Sequence, residues 1–285
     1  MRMLIALDDS AQSNAVLHLG MQFLQISRAG ETPTLLTVVA DAAGRARAEA
    51  LLARARQQLT AATNEMQTKA VAIKEVQTKV RVGRTVEEIV NEVETHKYDL
   101  LVLGMSTETS LLRRWLPSTT TQVVEKVGCS VAIAKGEVRP FRQILVCDSG
   151  ARSLSLLDHF VTQLGALLEP TVAITVLHVM SQISAGPQVR GDQLRADAEE
   201  LIRAGAPEGE WLSEDVKILR EAHVQPTPKV RHGFVVDEIL AEARLGDYDL
   251  VVIGAHQKEG WTSFLLENLA RQITLQLDRP VLLVR

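Results

Sequence analysis

Short apolar runs alternate along the whole chain with longer stretches whose apolar residues recur at steps of three and four. In the first half MLIAL, TLLTVVA, EVQTKVRV, DLLVLG and SVAIAK read as strands. Between them lie AQSNAVLHLGMQFLQIS, RARAEALLARARQQL, TVEEIVNEVETH and TTTQVVEKV, which read as helices; Val86, Ile89, Val90 and Val93 mark one apolar face. Strands and helices in alternation imply crossover connections, and hence a parallel sheet with helices on both faces. The second half repeats the order with RQILVCD, TVAITVLHV, EAHVQPTPKVRH, DLVVIG and PVLLVR as strands.

The halves are also similar letter by letter. VRVGRTVEEIVNEVETHKYDLLVLG, residues 80–104, aligns without a gap on VRHGFVVDEILAEARLGDYDLVVIG, residues 230–254. The shared positions include Gly83/Gly233, Glu88/Glu238, Tyr98/Tyr248, Asp99/Asp249 and Gly104/Gly254, and the same offset carries CSVAIAK onto RPVLLVR. Two long copies mean a duplicated domain, not a solenoid of short repeats. The pattern breaks at KGEVRPF, residues 135–141, so the expected domains are residues 1–138 and 139–285. The expected fold class is α/β, with two tandem open five-stranded parallel-sheet domains.

Composition narrows the function. A net charge of −4 argues against a nucleic-acid surface, and 4% aromatic residues leave few rings on which bases could stack. Cys129 and Cys147 are too few for a disulfide framework and read as small core residues. No apolar run approaches the ~20 residues that span a bilayer. The chain opens directly on MLIAL, so a cytoplasmic protein without a leader or membrane contact is expected.

Open parallel sheets place ligands beyond the carboxyl ends of their strands. Those ends present Asp8, Asp9 and Ser10 after the first strand, Val38 and Val39 on the second, Gly83 on the third and Gly104 on the fourth. The chain is here similar to a tandem universal stress protein. The resemblance rests on LIALDDSAQS, VRVGRTVEEI, YDLLVLG and GCSVAIAK in the first half and on ITVLHVM, YDLVVIG and RPVLLVR in the second. It implies a Rossmann-like, adenine nucleotide alpha hydrolase-like domain of five strands, in which some members bind ATP or another adenine nucleotide and others none. It also implies that Asp8, with Ser10 beside it, approaches the adenosine moiety and that the backbone of Val38 reads adenine. The terminal strands SVAIAK and PVLLVR would pair across a two-fold axis, making one chain a pseudo-dimer and leaving room for a homodimer.

Nucleotide-binding members follow the fourth strand with Gly, two residues, Gly, nine residues, then Gly and Ser or Thr. Glycines let backbone amides approach phosphate, and the loop ends at a helix N-terminus that favours an anion. In the first half this pattern falls on Gly104, Thr107, Pro117 and Ser118. The outer positions match, whereas Thr107 adds a β-branched side chain and Pro117 removes an N–H. Ser118, Thr119 and Thr120 still offer amides and hydroxyls, although Thr119 with Gln122 also spells a capping box that needs no ligand.

The second half departs further. Gly254 remains, but Gln257, Glu267 and Asn268 hold the other positions, and a carboxylate ~4 Å from a phosphate would cost about 4 kcal/mol per charge pair. ILVCDSGARS is one residue short of LIALDDSAQS, so Asp148 matches Asp8 only if its strand has lost a residue.

Other features have plainer readings beside the functional ones. Asp8 suits an Asx turn or a helix N-cap, and Val38 a buried strand position. Arg45, Arg47, Arg54 and Arg56, with Glu49 alone to offset them, form either a solvated helix face or an anion-attracting patch. His178 lies in an apolar strand without metal-ligand spacing around it, and suits a hydrogen-bonded structural role. His223, His232 and His256 fall near strand ends in the second half, and Trp115 and Trp261 in corresponding loops before each fourth helix.

The leading expectation is a non-catalytic stress-response regulatory protein whose first domain alone holds an adenine nucleotide weakly, with an unknown protein partner. The alternative is a nucleotide-free partner-docking module in which both loops have degenerated. An enzyme of the ATP pyrophosphatase type would need a Gly-rich loop after the first strand, and ALDDSAQS has none.

Overall fold

A computed structural model of the chain describes residues 1–25, 32–65, 75–105, 118–148, 157, 160, 161, 172–180, 196–254 and 261–285, the last segment by its backbone alone up to residue 267. It divides into two compact units. One comprises Met1–Val138 with Asp278–Pro280, the other Arg139–Leu277 with Val281–Arg285.

In the first unit β1 (Met3–Ala6), α1 (Ser13–Gln25), β2 (Thr34–Val39), α2 (Arg45–Glu65), β3 (Gln77–Val82), α3 (Thr85–His96), β4 (Leu100–Gly104), α4 (Thr119–Lys126) and β5 (Ser130–Ala134) follow one another. The strands pair in parallel in the order β3-β2-β1-β4-β5. The chain steps from β1 outward through β2 to β3, then returns to the other side of β1. Right-handed crossovers therefore place α1 and α2 on one face and α3 and α4 on the other, and these helices contact each other in those pairs. Leu4, Ile5, Leu35, Leu36, Leu101 and Val102 are fully buried between the two helix layers.

The second unit contains β6 (Gln143–Asp148), β7 (Ala173–Met180), α5 (Ala198–Ala204), α6 (Pro207–Glu221), β8 (Pro226–His232), α7 (Val235–Leu245), β9 (Leu250–Gly254), α8 (Trp261–Gln276) and β10 (Val281–Val284). Its strands pair in parallel as β8-β7-β6-β9-β10. The third strand begins later than the apolar pattern suggests, because Glu221 closes α6 and the strand starts at Pro226. Cys147 is buried, and burial pushes its thiol well up from the ordinary range, whereas Cys129 is only half-buried.

Both units bury a carboxylate that the amphipathic reading of the third helix leaves in solvent. Glu92 is completely covered. Its Oε1 accepts from Lys79 Nζ at 2.5 Å and from the Tyr98 hydroxyl at 3.1 Å, and its Oε2 from Arg81 Nε at 3.1 Å. In the second unit Glu242 Oε1 accepts from Lys229 Nζ at 2.9 Å and from the Tyr248 hydroxyl at 2.8 Å, and Oε2 from Arg231 Nη1 at 3.2 Å. The donors alternate along an edge strand whose one face is covered by the helix, so both cations point at the same carboxylate. Burial opposes ionisation of each glutamate, but the bonds from lysine, arginine and tyrosine outweigh it and hold both carboxyls below the usual range. Burial raises the two tyrosines, Tyr248 to about 12.

Candidate functional site

The order β3-β2-β1-β4-β5 reverses its direction of winding between β1 and β4, which is where a crevice opens in such sheets. Asp8 follows β1 and Gly104 ends β4, so both stand at this switch point. Asp8 Oδ1 accepts from Ser10 N at 3.1 Å, from Ser10 Oγ at 2.5 Å, and faces Ser13 Oγ at 3.1 Å. Ser13 Oγ in turn accepts from Asp8 N at 3.1 Å and donates to the Asp8 carbonyl. The segment is thus an Asx turn closed by the first residue of α1. Asp8 is not the cap of that helix, which starts at Ser13.

Gly104 is the hub. A Cβ there would lie 2.9 Å from Val16 Cγ2 and 3.5 Å from Gln12 Cβ, so the start of α1 crosses directly over the end of β4. The Gly104 carbonyl accepts from Thr120 Oγ1 at 2.6 Å, which ties the start of α4 to the same point. Ser118, in extended conformation, caps α4: its Oγ accepts from Thr121 N at 3.1 Å. Its hydroxyl also lies 2.9 Å from Thr121 Oγ1. This corrects the expected capping box, since the cap is Ser118 and Thr119 is already the first helical residue. With the Thr121 amide taken, the amides of Thr119 and Thr120 remain at the positive end of the helix, and the Thr119 side chain is exposed.

Val38 lies one strand away. Leu7 N donates to Leu36 O at 2.8 Å on the β1 side of β2, and Gly83 N to Val39 O at 2.9 Å on the β3 side. Parallel strands turn successive residues to alternate neighbours, so the N–H and C=O of Val38 face the β1 side, beyond the point where β1 has ended. The structure therefore assembles Asp8, Ser10, Gly104, Ser118 and Thr119 around the switch point, with the Val38 backbone turned towards it. Thr107, Pro117 and Trp115 lie outside the described residues.

Some neighbours were not foreseen. Asp9 forms an exposed ion pair with Arg47 of α2, and Arg45 pairs with Glu49 at 3.2 Å. The arginine-rich face is thus offset by Asp9 as well as Glu49, because the loop after β1 reaches the start of α2. No spacing in the sequence signals that contact.

The second unit differs at each matching place. Thr37 pairs with Val80, and His178 with Val230, the position that aligns with Val80. Asp148 lies opposite His178, so it occupies the register of Leu7 and not that of Asp8. Its strand has lost no residue. Glu267 and Asn268 lie inside α8, a helix that runs unbroken from Trp261, so no helix begins where α4 begins in the first unit. Trp261 correspondingly opens a helix and does not sit in a loop. Gln257 and His256 lie outside the described residues. His223 sits at the amino end of β8, away from the carboxyl edge, with a left-handed φ of 65°.

Among the described residues no group of three or more His, Cys, Asp or Glu is placed to hold a metal ion, and no helix is long and apolar enough to cross a membrane.

A family model described as the universal stress protein family matches residues 1–135 and again 140–285. A universal stress protein from Archaeoglobus fulgidus DSM 4304 shares the fold over 100% of this chain and 96% of its own, with a TM-score of 0.70 and 16% identity. A functionally unknown protein from Pseudomonas aeruginosa PAO1 does so over 99% of this chain and 92% of its own, with a TM-score of 0.61 and 13% identity. A further universal stress protein from Archaeoglobus fulgidus, solved in complex with dAMP, covers 52% of this chain and 100% of its own at 18% identity and a TM-score of 0.34. No curated protein matches. Two family matches over a twice-wound parallel sheet leave one assignment: the chain belongs to the universal stress protein family.

Proposed function

We propose that this chain is a stress-response regulatory protein whose first unit binds one adenine nucleotide at the β1/β4 switch point, and that it acts by occupancy, without turnover. The observation that carries this reading is the convergence of the Asp8–Ser13 turn, Gly104 and the Ser118-capped start of α4, joined through contacts at Gly104. In this reading the Val38 backbone meets the base, Asp8 meets the ribose, and the two uncommitted amides of α4 meet phosphate. The second unit has neither an aspartate in the register of Asp8 nor a helix starting at the matching place, so a stoichiometry of one per chain follows.

One observation favours the nucleotide-free, partner-docking alternative. Gly104 and the hydroxyls of Ser118 and Thr120 already have packing and capping roles that need no ligand. Isothermal titration with ATP decides between them. The nucleotide reading expects a saturable heat for one site per chain, lost in Asp8→Ala; no heat at millimolar ATP removes it. Phosphate release is expected to equal the protein-free blank, and hydrolysis abolished by Asp8→Asn would replace occupancy with catalysis.

A further inference from the structure

The second unit carries a polar cluster that the nucleotide reading does not use. Glu208 Oε2, Trp211 Nε1 and His232 Nδ1 are each buried with no hydrogen-bond partner, and Glu208 as a residue is only 6% exposed. Buried polar atoms are rarely left alone, because each forfeits its bonds to water.

The residues that carry these atoms come from elements that pack against one another. Glu208 and Trp211 are three residues apart on α6, and so share a face of that helix. The Trp211 ring meets His178 edge-on, with centroids 5.8 Å apart. His178 is opposite Val230 and Met180 opposite His232, so His178 and His232 project from the same face of adjacent strands, two positions apart. Both Glu208 and His232 act electrostatically on His178.

Their hydrogen-bonding roles can be assigned. His232 Nε2 lies 2.9 Å from the carbonyl of Ala196, which can only accept, so Nε2 carries a proton, and in that tautomer Nδ1 accepts. Glu208 Oε2 also accepts, and the indole N–H of Trp211 donates. A bare cation would meet the indole hydrogen, and an anion would meet the carboxylate. The complement is a neutral group that donates twice and accepts once, as a water molecule or a primary carboxamide does.

We propose that Glu208, Trp211 and His232 form a binding site, particular to the second unit, for a neutral group with two hydrogen-bond donors and one acceptor. The first unit lacks it, because Val82 aligns with His232 and Thr37 holds the register of His178. The occupant links α6 to the carboxyl end of β8. A resident water and the carboxamide of a small organic molecule share this chemistry.

The test uses the full chain, ¹⁵N-labelled at its tryptophans, with the Trp211 indole signal assigned by its loss in Trp211→Phe. Cross-relaxation from the Trp211 Nε1 proton to solvent is recorded, and acetamide is then titrated as the probe. A long-lived water cross-peak that survives acetamide supports the site with water resident. A saturable shift of the indole signal, with the water cross-peak replaced by one to acetamide, supports it with an organic carboxamide as occupant. An indole proton that shows neither, in wild-type protein, overturns the proposal. Glu208→Leu and His232→Phe should each abolish the cross-peak while near-ultraviolet dichroism is retained. Its persistence in both folded variants would also overturn the assignment.

Discussion

In the first unit Glu92 is met by Lys79, Arg81 and Tyr98; in the second Glu242 is met by Lys229, Arg231 and Tyr248, from the same places on the same elements. The segments that follow the first and fourth strands share no such likeness. Asp8 and a capped α4 stand at the edge of the first sheet, against Asp148 in another register and an unbroken α8 in the second. The contrast separates two kinds of position. A carboxylate enclosed beneath a helix fails as a unit if one partner is lost, so its members come as a set. In the proposed nucleotide reading Asp8 and the start of α4 answer to a ligand, and the scaffold of the second unit stands without either.

The largest effect should come from opening the shared network. Glu92→Ala and Glu242→Ala each leave a lysine and an arginine facing an apolar gap, and breaking a buried ion pair costs about 3–5 kcal/mol. Lys79 and Arg81 retain some access to water, so the lower end of that range is expected. Urea denaturation of the two variants should show similar losses. A silent variant in either unit would mean that the two networks are not equivalent.

A smaller, asymmetric effect follows from one place where the networks differ. His96 Nε2 in the first unit accepts from Lys79 Nζ at 3.3 Å, and Gly246 aligns with His96 in the second. A Cβ on Gly246 would come within 2.1 Å of the Tyr248 ring. Gly246→His should therefore displace Tyr248 and cost about 1–3 kcal/mol, as overpacking does. His96→Gly should cost about 1 kcal/mol, the helix penalty of glycine. Exchange without loss in both directions would contradict the geometry at Tyr248.

Acid should separate the units further. Burial holds His178 below the ordinary histidine value, and Thr37 takes its place in the first unit. A depressed histidine leaves the folded state reluctant to take a proton that the unfolded chain accepts. Its contribution is full above the unfolded value near 6.5 and is lost as pH falls through the folded value. The loss amounts to about 1.4 kcal/mol for each pH unit over which only the unfolded chain is protonated. Trp211 fluorescence should report this loss, and His178→Thr should remove it. Both buried glutamates, with depressed values, add a common loss only below the unfolded carboxyl value of 4.5. If the His178→Thr protein keeps the same slope between pH 6.5 and 4.5, the burial argument fails.

The fold could be read from the sequence because period and repetition are properties of the letters themselves. Apolar strands alternating with amphipathic helices specify a parallel sheet, and α3 begins and ends where its pattern does. Glu92 escaped notice because one of several glutamates on an amphipathic helix, with Glu87, Glu88 and Glu94, looks solvated until the strand beneath supplies two cations. The edge was legible in part. Asp8, Gly104 and Ser118 were identifiable from their places after strands, but the crossing of α1 over Gly104 and the Asp9–Arg47 pair join elements distant in sequence. The extension of α8 through Glu267 was hidden because the aligned copy carries a proline shortly before its helix, at Pro117, and the comparison imposed that start on both.

The smallest expected effect tests whether the start of α4 serves the fold or a ligand. Ser118→Ala removes the hydroxyl that accepts from Thr121 N, and the loss of such a cap costs about 1 kcal/mol. Ser118→Gly should cost only a few tenths, because glycine leaves the amide open to water. If the hydroxyl only caps, nucleotide affinity should stay level in both variants while stability follows this order. If the capped turn also positions the amides of Thr119 and Thr120 for phosphate, affinity for ATP should fall in Ser118→Ala while affinity for adenosine, which carries no phosphate, should not. The ATP-to-adenosine ratio thus reads the proposed anion site separately from the adenine contact proposed for Val38, and a ratio unmoved by either variant would assign the hydroxyl to the fold alone.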